Sequence, residues 1–170
     1  MSDPTPAERV AQAWLAAQAD ATASRWIGAT PVAIGWATVE LDRATSELAV
    51  ALGLPGAKTF RVAPRSEALG GAVRVASRVL QDGGSLAVLE PDTEGRLAGS
   101  LARLGEGPMA VWLAVAGAGT GLEARGRQDL DVSSARAGPF GAERLVLGGP
   151  GGTPGRYRLL VVRAPGTIQP

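Results

Sequence analysis

The chain has 170 residues, with 17 Lys and Arg against 16 Asp and Glu, and it contains neither histidine nor cysteine. A formal net charge of +1 with scattered basic residues argues against a general nucleic-acid surface. The two missing residue types exclude disulfides, thiol nucleophiles, thiolate metal sites and every catalytic constellation that needs histidine.

The N-terminal 30 residues predict an appended helix. Residues 6–25 are rich in alanine, and Val10, Trp14, Ala17 and Ala21 fall on one helical face, beside Leu15. No basic region followed by an apolar core opens the chain, and no apolar run approaches the ~20 residues of a membrane span. We therefore expect a cytoplasmic protein without membrane segments.

A helix and four strands are predicted next. Residues 28–31 break the first helix, and residues 32–41 follow as a strand rich in β-branched and aromatic residues. Asp42 is a plausible N-cap for a helix that Gly53 and Pro55 end. The apolar face of that helix consists of Ala44, Leu48, Ala51 and Leu52. Short strands at 58–63, 72–78 and 85–90 complete a β-α-β-β-β order.

The stretch from Ser85 to Leu113 joins two strands through a short helix. Glu90 and Pro91 close the first strand, because proline cannot donate to a ladder. Asp92 or Thr93 can cap the helix, and Gly105 can end it in the left-handed conformation. The spacing of Leu97, Leu101 and Leu104 gives this helix one apolar face.

A weaker repeat of the same order follows. Strands are predicted at 109–116, 130–135, 143–147 and 156–163, with a helical or irregular piece at 121–128. The glycine-rich residues 148–155 are expected to be a solvated hairpin loop. They lack the Lys-Ser/Thr and the following helix of a phosphate-binding loop.

Three short motifs resemble the vicinal oxygen chelate superfamily, and within it the methylmalonyl-CoA epimerase-like and glyoxalase-like members. They are Leu89-Glu90-Pro91, Gly105-Glu106-Gly107 and the strand-to-helix segment 34–42. The resemblance implies an α+β fold in which two βαβββ modules form a curved mixed sheet. It places a single domain at 31–165, with module one at 31–92, a linker helix at 93–107, module two at 108–165 and a tail at 166–170.

Enzymes of that superfamily usually bind a divalent metal through four side chains, two from each module. Carried over onto this chain, those positions are Ile34, Ala87, Ala110 and Val161, which are all apolar. The resemblance therefore implies a chain that has lost the metal, and we expect no cofactor.

Two carboxylates at predicted strand ends are the weak catalytic candidates. Glu40 and Glu90 could act as general bases if burial raised their pKa values. The ordinary alternative is that each lies in solvent or pairs with arginine, and Glu106 is expected to be a turn residue or a helix-end contact.

Two tryptophans are the main candidates for ligand binding. If Ile34 and Ala110 face inward, then Trp36 and Trp112, each two residues further on, face the same way. The walls would be lined by further residues that alternation along the strands places on the same inward face: Thr38, Leu89, Ala114 and Leu159. Such a cup suits a flat or hydrophobic ligand. The alternative is that the tryptophans plug the cup as core.

Three functions stay open at this point. The first is a metal-free protein that binds a small hydrophobic or aromatic molecule, as in sequestration or resistance. The second is a lyase or epimerase-type enzyme that works without the usual metal. The third is a non-catalytic assembly subunit that docks through Val10, Trp14 or Trp26. A homodimer is expected, because an open sheet leaves strand edges to cover.

Overall fold

The computed structural model describes residues 3–23, 29–116, 131–147 and 157–163. One curved sheet of eight strands, in the order β2-β3-β4-β1-β5-β8-β7-β6, dominates them. None of the described helices is both long and apolar enough to span a membrane. The helices are α1 (Pro6–Ala23), α2 (Leu41–Ala51) and α3 (Arg96–Leu104), and the strands are β1 (Ala29–Ala37), β2 (Arg61–Ser66), β3 (Gly71–Ala76), β4 (Ser85–Pro91), β5 (Gly107–Ala116), β6 (Arg136–Gly138), β7 (Gly141–Leu145) and β8 (Tyr157–Arg163).

The strand order has internal symmetry. β1 and β5 lie antiparallel at the centre of the sheet, and each has the last strand of its own module, β4 or β8, parallel on its other side. The third and second strands of each module follow outward as antiparallel neighbours. This arrangement confirms the predicted α+β fold built from two similar modules.

The outer face of module one is covered by α1 and α2. Val10, Trp14 and Ala17 are buried, as the helical spacing predicted, whereas Leu15 is 58% exposed. Arg9 anchors α1 further, since its guanidinium lies 4.9 Å from the Trp36 ring centroid and donates to the carbonyl of Glu106 at 2.6 Å. The buried residues shared by these two helices and the sheet are Val10, Ala13, Trp14, Ala17, Ile34, Trp36, Ala44, Leu48, Ala49, Phe60, Ala76, Leu86 and Val88.

Several predicted boundaries move in the structure. β1 starts at Ala29, inside the segment 28–31 that was expected to break the first helix, and it ends at Ala37, ahead of α2, which begins at Leu41. Glu40 is the N-cap in place of Asp42, and it makes no side-chain capping bond. Asp42 lies in the first turn of α2 instead, where it pairs with Arg74.

The helix α3 starts later than predicted. Gly95 is its N-cap, so neither Asp92 nor Thr93 caps it, and Asp92 pairs with Arg65 at 2.6 Å. Gly105 ends the helix with φ 72°, as predicted. Leu97 and Leu101 are buried as predicted, but Leu104 is 54% exposed.

Part of the second module lies outside the described residues, including the predicted helical piece at 121–128 and the glycine-rich 148–155. The strand predicted at 130–135 is reduced to one bridge between Val132 and Val146. The regular strand in this region, β6, begins only at Arg136.

The sheet curves so far that its two edge strands approach each other. Just beyond β2, the Glu67 N–H donates to the carbonyl of Ala137 in β6 at 3.0 Å. The Ala137 N–H donates back to the Glu67 carboxylate at 3.4 Å. We call this contact the seam. It covers the edges at one place within a single chain, so open edges no longer argue for a homodimer, which stays a prediction.

Candidate functional site

The concave inner face of the sheet is the candidate site, and we call it the cup. Strand alternation sends every second residue of the central strands into it. Its floor is apolar, and α3 covers one end of it through Leu97 and Leu101. The buried strand residues that line the cup are Ala33, Ala37, Val73, Val75, Ala87, Leu89, Ala110, Trp112, Ala114, Leu145, Leu159 and Val161.

Trp112 fills the middle of the cup. Its exposed fraction is 0%, and Phe140 from the β6–β7 turn packs against it edge-on with the ring centroids 5.2 Å apart. The indole lies directly over Gly35 in β1. A methyl group at Gly35 would overlap Trp112, Leu89 and Ala110. Glycine is therefore needed there for the indole to approach β1 this closely.

Glu143 is the charged group of the cup that the sequence analysis missed. It lies in β7 in register with Val161, and its exposed fraction is 0%. One carboxylate oxygen accepts from the Ser66 hydroxyl at 2.5 Å and from the Ala68 N–H at 3.3 Å. The other accepts from the Trp112 indole N–H at 2.8 Å.

The environment of Glu143 disfavours its charged form. Burial raises its pKa above the ordinary value, and the nearby Glu67 carboxylate adds to the rise. The hydrogen bonds from Ser66, Trp112 and Ala68 oppose this shift only in part. A carboxyl group in such surroundings can accept or hold a proton closer to neutral pH than a surface glutamate.

Two hairpin turns cover Trp112 and Glu143 from the open side. The β2–β3 hairpin contributes the buried Leu69 and the two donors to Glu143, which are Ser66 at the end of β2 and Ala68 in the turn. The β6–β7 turn contributes Phe140. Gly138 leaves room for the Glu143 carboxylate, which any larger side chain there would overlap. The two turns meet at the seam, so the cup is closed by its own side chains.

The opposite end of the cup is fixed by a hydroxyl cluster. The Tyr157 hydroxyl donates to the carbonyl of Arg96 at 2.7 Å, and it lies 2.6 Å from the Ser100 hydroxyl. Both contacts hold α3 against β8. This end of the cup is therefore tied across two elements, whereas the end under the hairpin turns is held mainly by the seam and Glu143.

The structure separates the two tryptophans that the sequence analysis placed together. Trp36 and Ile34 lie on the outer face under α1, whereas Trp112 lies in the cup. The expected inward parity of β1 was wrong by one residue, because Ala33, Gly35 and Ala37 are the residues that face the cup. Thr38, which shares the parity of Trp36, is buried outside the cup and donates to Glu106 at 2.7 Å.

The remaining wall residues lie where they were expected. Leu89, Ala114 and Leu159 belong to the cup together with Trp112. Trp26 lies outside the described residues. Val10 and Trp14 are buried against the sheet and are not available for docking.

The residues at the superfamily's metal positions do not fit a metal ion. Ala87, Ala110 and Val161 lie in the cup but offer no donor atom, and Ile34 faces away. Ala33 and Gly35, which flank Ile34 and face the cup, also carry no side-chain donor atom for a metal. Within the described residues, no three His, Cys, Asp or Glu side chains come together as a possible metal site.

Neither of the predicted catalytic carboxylates lies in the cup. Glu90 accepts the N–H of Leu41 at 2.7 Å, so it satisfies the start of α2. Glu40 is an exposed residue 3.5 Å from Arg43. Glu40 therefore fits the expected alternative of a carboxylate paired with arginine, whereas Glu90 is a half-buried acceptor for a backbone N–H.

Glu106 is a connecting residue, as its place in the Gly-Glu-Gly motif suggested. Its carboxylate accepts from Arg43 at 2.6 Å, from the Val39 N–H at 2.9 Å and from Thr38. Burial alone would raise the pKa of Glu106, but these bonds outweigh it and hold the pKa below its ordinary value. The network joins the ends of β1 and α3 to α2.

A weak signal in the sequence could have identified Glu143. It stands two residues before Leu145, so alternation puts both on the same face of a strand. Glu143 is the first residue of the strand predicted at 143–147, and a carboxylate at a strand end is common. Only the tertiary structure brings Ser66, Ala68 and Trp112 to it from distant parts of the chain.

Comparisons with known proteins point to the fold. No family model matches the sequence, and no curated protein matches it either. Solved structures do match, at 18% to 21% identity in the three cases described next. Likeness at this level shows the fold alone.

The three structures are methylmalonyl-CoA epimerases. That from Mycobacterium tuberculosis matches at 18% identity and a TM-score of 0.61, over 79% of this chain and 88% of its own. A variant from Streptomyces coelicolor, in complex with 2-nitronate-propionyl-CoA, matches at 21% and 0.60 over 79% and 94%. A methylmalonyl-CoA epimerase in complex with methylmalonyl-CoA and NH4+ matches at 21% and 0.61 over 81% and 96%. The chain therefore has the fold of the vicinal oxygen chelate, or glyoxalase-like, superfamily.

Proposed function

We propose that the protein binds a small apolar or aromatic molecule in the cup without a metal ion. The observation that carries this proposal is the make-up of the cup in the part of the chain that the structure describes. It is apolar apart from Glu143 with its donors and the Ser100–Tyr157 hydroxyl pair at the opposite end. Pockets of this kind, with hydrophobic walls and a few placed polar groups, are typical of small-molecule sites. Burial of the ligand and contact with Trp112 would supply the affinity.

Entry of a ligand requires the hairpin turns to separate at the seam. The seam has few backbone bonds, and β2 beside it is largely exposed, with Val62 84% exposed. Regions with few buried apolar contacts open locally at low free-energy cost. Phe140 is only partly buried, and its movement would uncover Trp112.

The proposal can be tested with a reversible lock on the seam. The chain has no cysteine, so the double variant Glu67→Cys with Ala137→Cys holds one possible disulfide. Its reduced and oxidised forms are matched controls for each other. Toluene and indole would be titrated while ligand-detected NMR reports binding, with EDTA or with Mn²⁺ present.

We expect saturable binding that is independent of Mn²⁺ and that is lost when the disulfide forms. Mass spectrometry confirms the disulfide itself. Absence of binding to the wild-type and reduced proteins up to millimolar probe would refute the proposal and leave Trp112 as core. Binding that requires Mn²⁺ would contradict the metal-free part, and binding that survives oxidation would exclude the seam as the entrance.

A metal-independent enzyme is the second candidate, and the buried carboxyl of Glu143 favours it. A general base must reach a substrate proton and titrate near the working pH. The matched epimerases act on CoA esters, so the discriminating assay is deuterium uptake from D2O at the α-carbon of an acyl-CoA. Uptake that disappears in Glu143→Gln would support the enzyme, and no uptake by a protein that binds toluene would support simple binding.

A further inference from the structure

We infer that Glu143 is the recognition group of the cup and that it selects neutral or cationic aromatic ligands carrying an N–H or O–H donor. This inference rests on the proposed function and names the class of ligand. Glu143 stands at the border between the apolar floor and the hairpin turns, with its side chain against Gly138.

All three hydrogen-bond partners of Glu143 are uncharged donors. Trp112 donates from the floor, whereas Ser66 donates from the end of β2 and Ala68 from the β2–β3 turn. Among the described residues, no lysine or arginine forms an ion pair with Glu143. The negative charge of an ionised Glu143 is thus balanced only by hydrogen bonds.

Opening of the seam would divide these partners. The oxygen bonded to Trp112 would keep its donor, because Trp112 lies in the central strand β5, away from the seam. The other oxygen would lose the donors of Ser66 and Ala68, because these two residues flank the seam residue Glu67 at the edge of the sheet. A ligand that enters the open cup displaces water from this oxygen, and a carboxylate oxygen buried without a partner is unfavourable. The cup therefore favours a ligand that donates to this oxygen.

The same geometry disfavours two other ligand classes. A purely apolar ligand would leave the oxygen without a donor. An anionic ligand would bring a second negative charge next to Glu143, where the Glu67 carboxylate already lies close by. A site built to donate or accept one hydrogen bond rejects analogues that lack it, often strongly.

The experiment compares four probes of nearly equal size: benzylamine, benzyl alcohol, toluene and phenylacetate. Affinities for the wild-type protein are measured by NMR titration at pH 7.5. We expect benzylamine to bind at least about tenfold more tightly than toluene, the difference that one lost hydrogen bond to a charged group implies. Phenylacetate should bind least tightly of the four.

Two variants test whether Glu143 is responsible. Glu143→Gln should reduce the preference for benzylamine over toluene to less than about threefold, because the charge that favours a cationic donor is gone. Ser66→Ala keeps the carboxylate but weakens the closed state, so it should bind benzylamine more tightly than the wild type. It also keeps the test decisive if Glu143→Gln does not fold.

Each outcome has a separate meaning. Equal affinity of the wild type for benzylamine and toluene, or tight binding of phenylacetate, would overturn the role of Glu143 while leaving the cup as a binding site. Unchanged benzylamine affinity in Ser66→Ala would also count against it. Failure of all four probes, toluene included, would instead refute the proposed function.

Discussion

Replacement of Trp112 by phenylalanine tests how the centre of the cup is held. The indole is fully buried and donates to a buried carboxylate at 2.8 Å. Loss of a hydrogen bond to a charged group costs about 1.5–3 kcal/mol of unfolding free energy. The smaller phenylalanine ring leaves a void, which lowers the unfolding free energy by roughly 1 kcal/mol more, as in other large-to-small core changes. We therefore expect Trp112→Phe to lose about 3 kcal/mol in total.

Trp36→Phe is the matched control on the other face. Trp36 is buried among apolar residues of α1 and α2, and Arg9 lies over its ring. This variant loses a similar volume but no hydrogen bond to a carboxylate, so it should cost about 1–1.5 kcal/mol. Both variants are unfolded in urea and followed by far-UV circular dichroism, which does not depend on tryptophan emission.

A double-mutant cycle isolates the bond itself. Trp112→Phe, Glu143→Gln and the double variant should show a coupling free energy of about 1 kcal/mol or more, as expected for residues in direct contact. Equal losses for Trp112→Phe and Trp36→Phe, together with zero coupling, would refute the view that Trp112 and Glu143 stabilise each other.

Four further predictions concern two glycines and two glutamates. Gly35→Ala should destabilise the protein by about 1–3 kcal/mol in urea unfolding, because the added methyl overlaps Trp112, Leu89 and Ala110; no change would mean that the cup is loosely packed. Gly99→Ala, exposed in α3 with free space around it, should stabilise the protein by about 0.5–1 kcal/mol, and a loss would contradict the helical geometry. The pKa of Glu143 is raised in the folded state, so the folded state binds the Glu143 proton more tightly than the unfolded state does. The contribution of Glu143 to stability therefore falls as pH rises from the ordinary value through the raised pKa. The difference in unfolding free energy between the wild type and Glu143→Gln should decline over that pH window and be flat above it. Glu106, whose pKa is lowered, should show the opposite pH dependence. Its contribution to stability is present above the ordinary pKa and is lost as pH falls through the lowered pKa. A Glu106→Gln variant whose stability falls with acid as that of the wild type does would contradict this prediction.

Much of the fold could be predicted from local patterns. The apolar face of α1, the left-handed end of α3 at Gly105 and the strand that closes at Pro91 all depend on residues near each other in the chain. Spacing and backbone preference act over a few residues, so the sequence displays them directly. The order of strands and helices in module one follows from these signals.

Parity in β1 shows where local patterns were insufficient. Residues 34–37 are all apolar or small and buried on both faces of the sheet, so no polar alternation marks the inward side. A shift of one residue exchanges the two faces completely. The register with β5, which slips at Pro31–Ala33 and again at Gly35–Trp36, was settled by tertiary pairing.

The sequence by itself determined the class of fold and the absence of histidine and cysteine chemistry, because each depends on residue type and short-range order. The tertiary structure alone decided that Trp36 and Trp112 lie on opposite faces and that Glu143 lies in the cup. Ser66, Trp112 and Glu143 come from three separate strands, and their meeting depends on sheet curvature and closure at the seam. Those are properties of the whole packed sheet, since no single segment encodes the distance between its two edges.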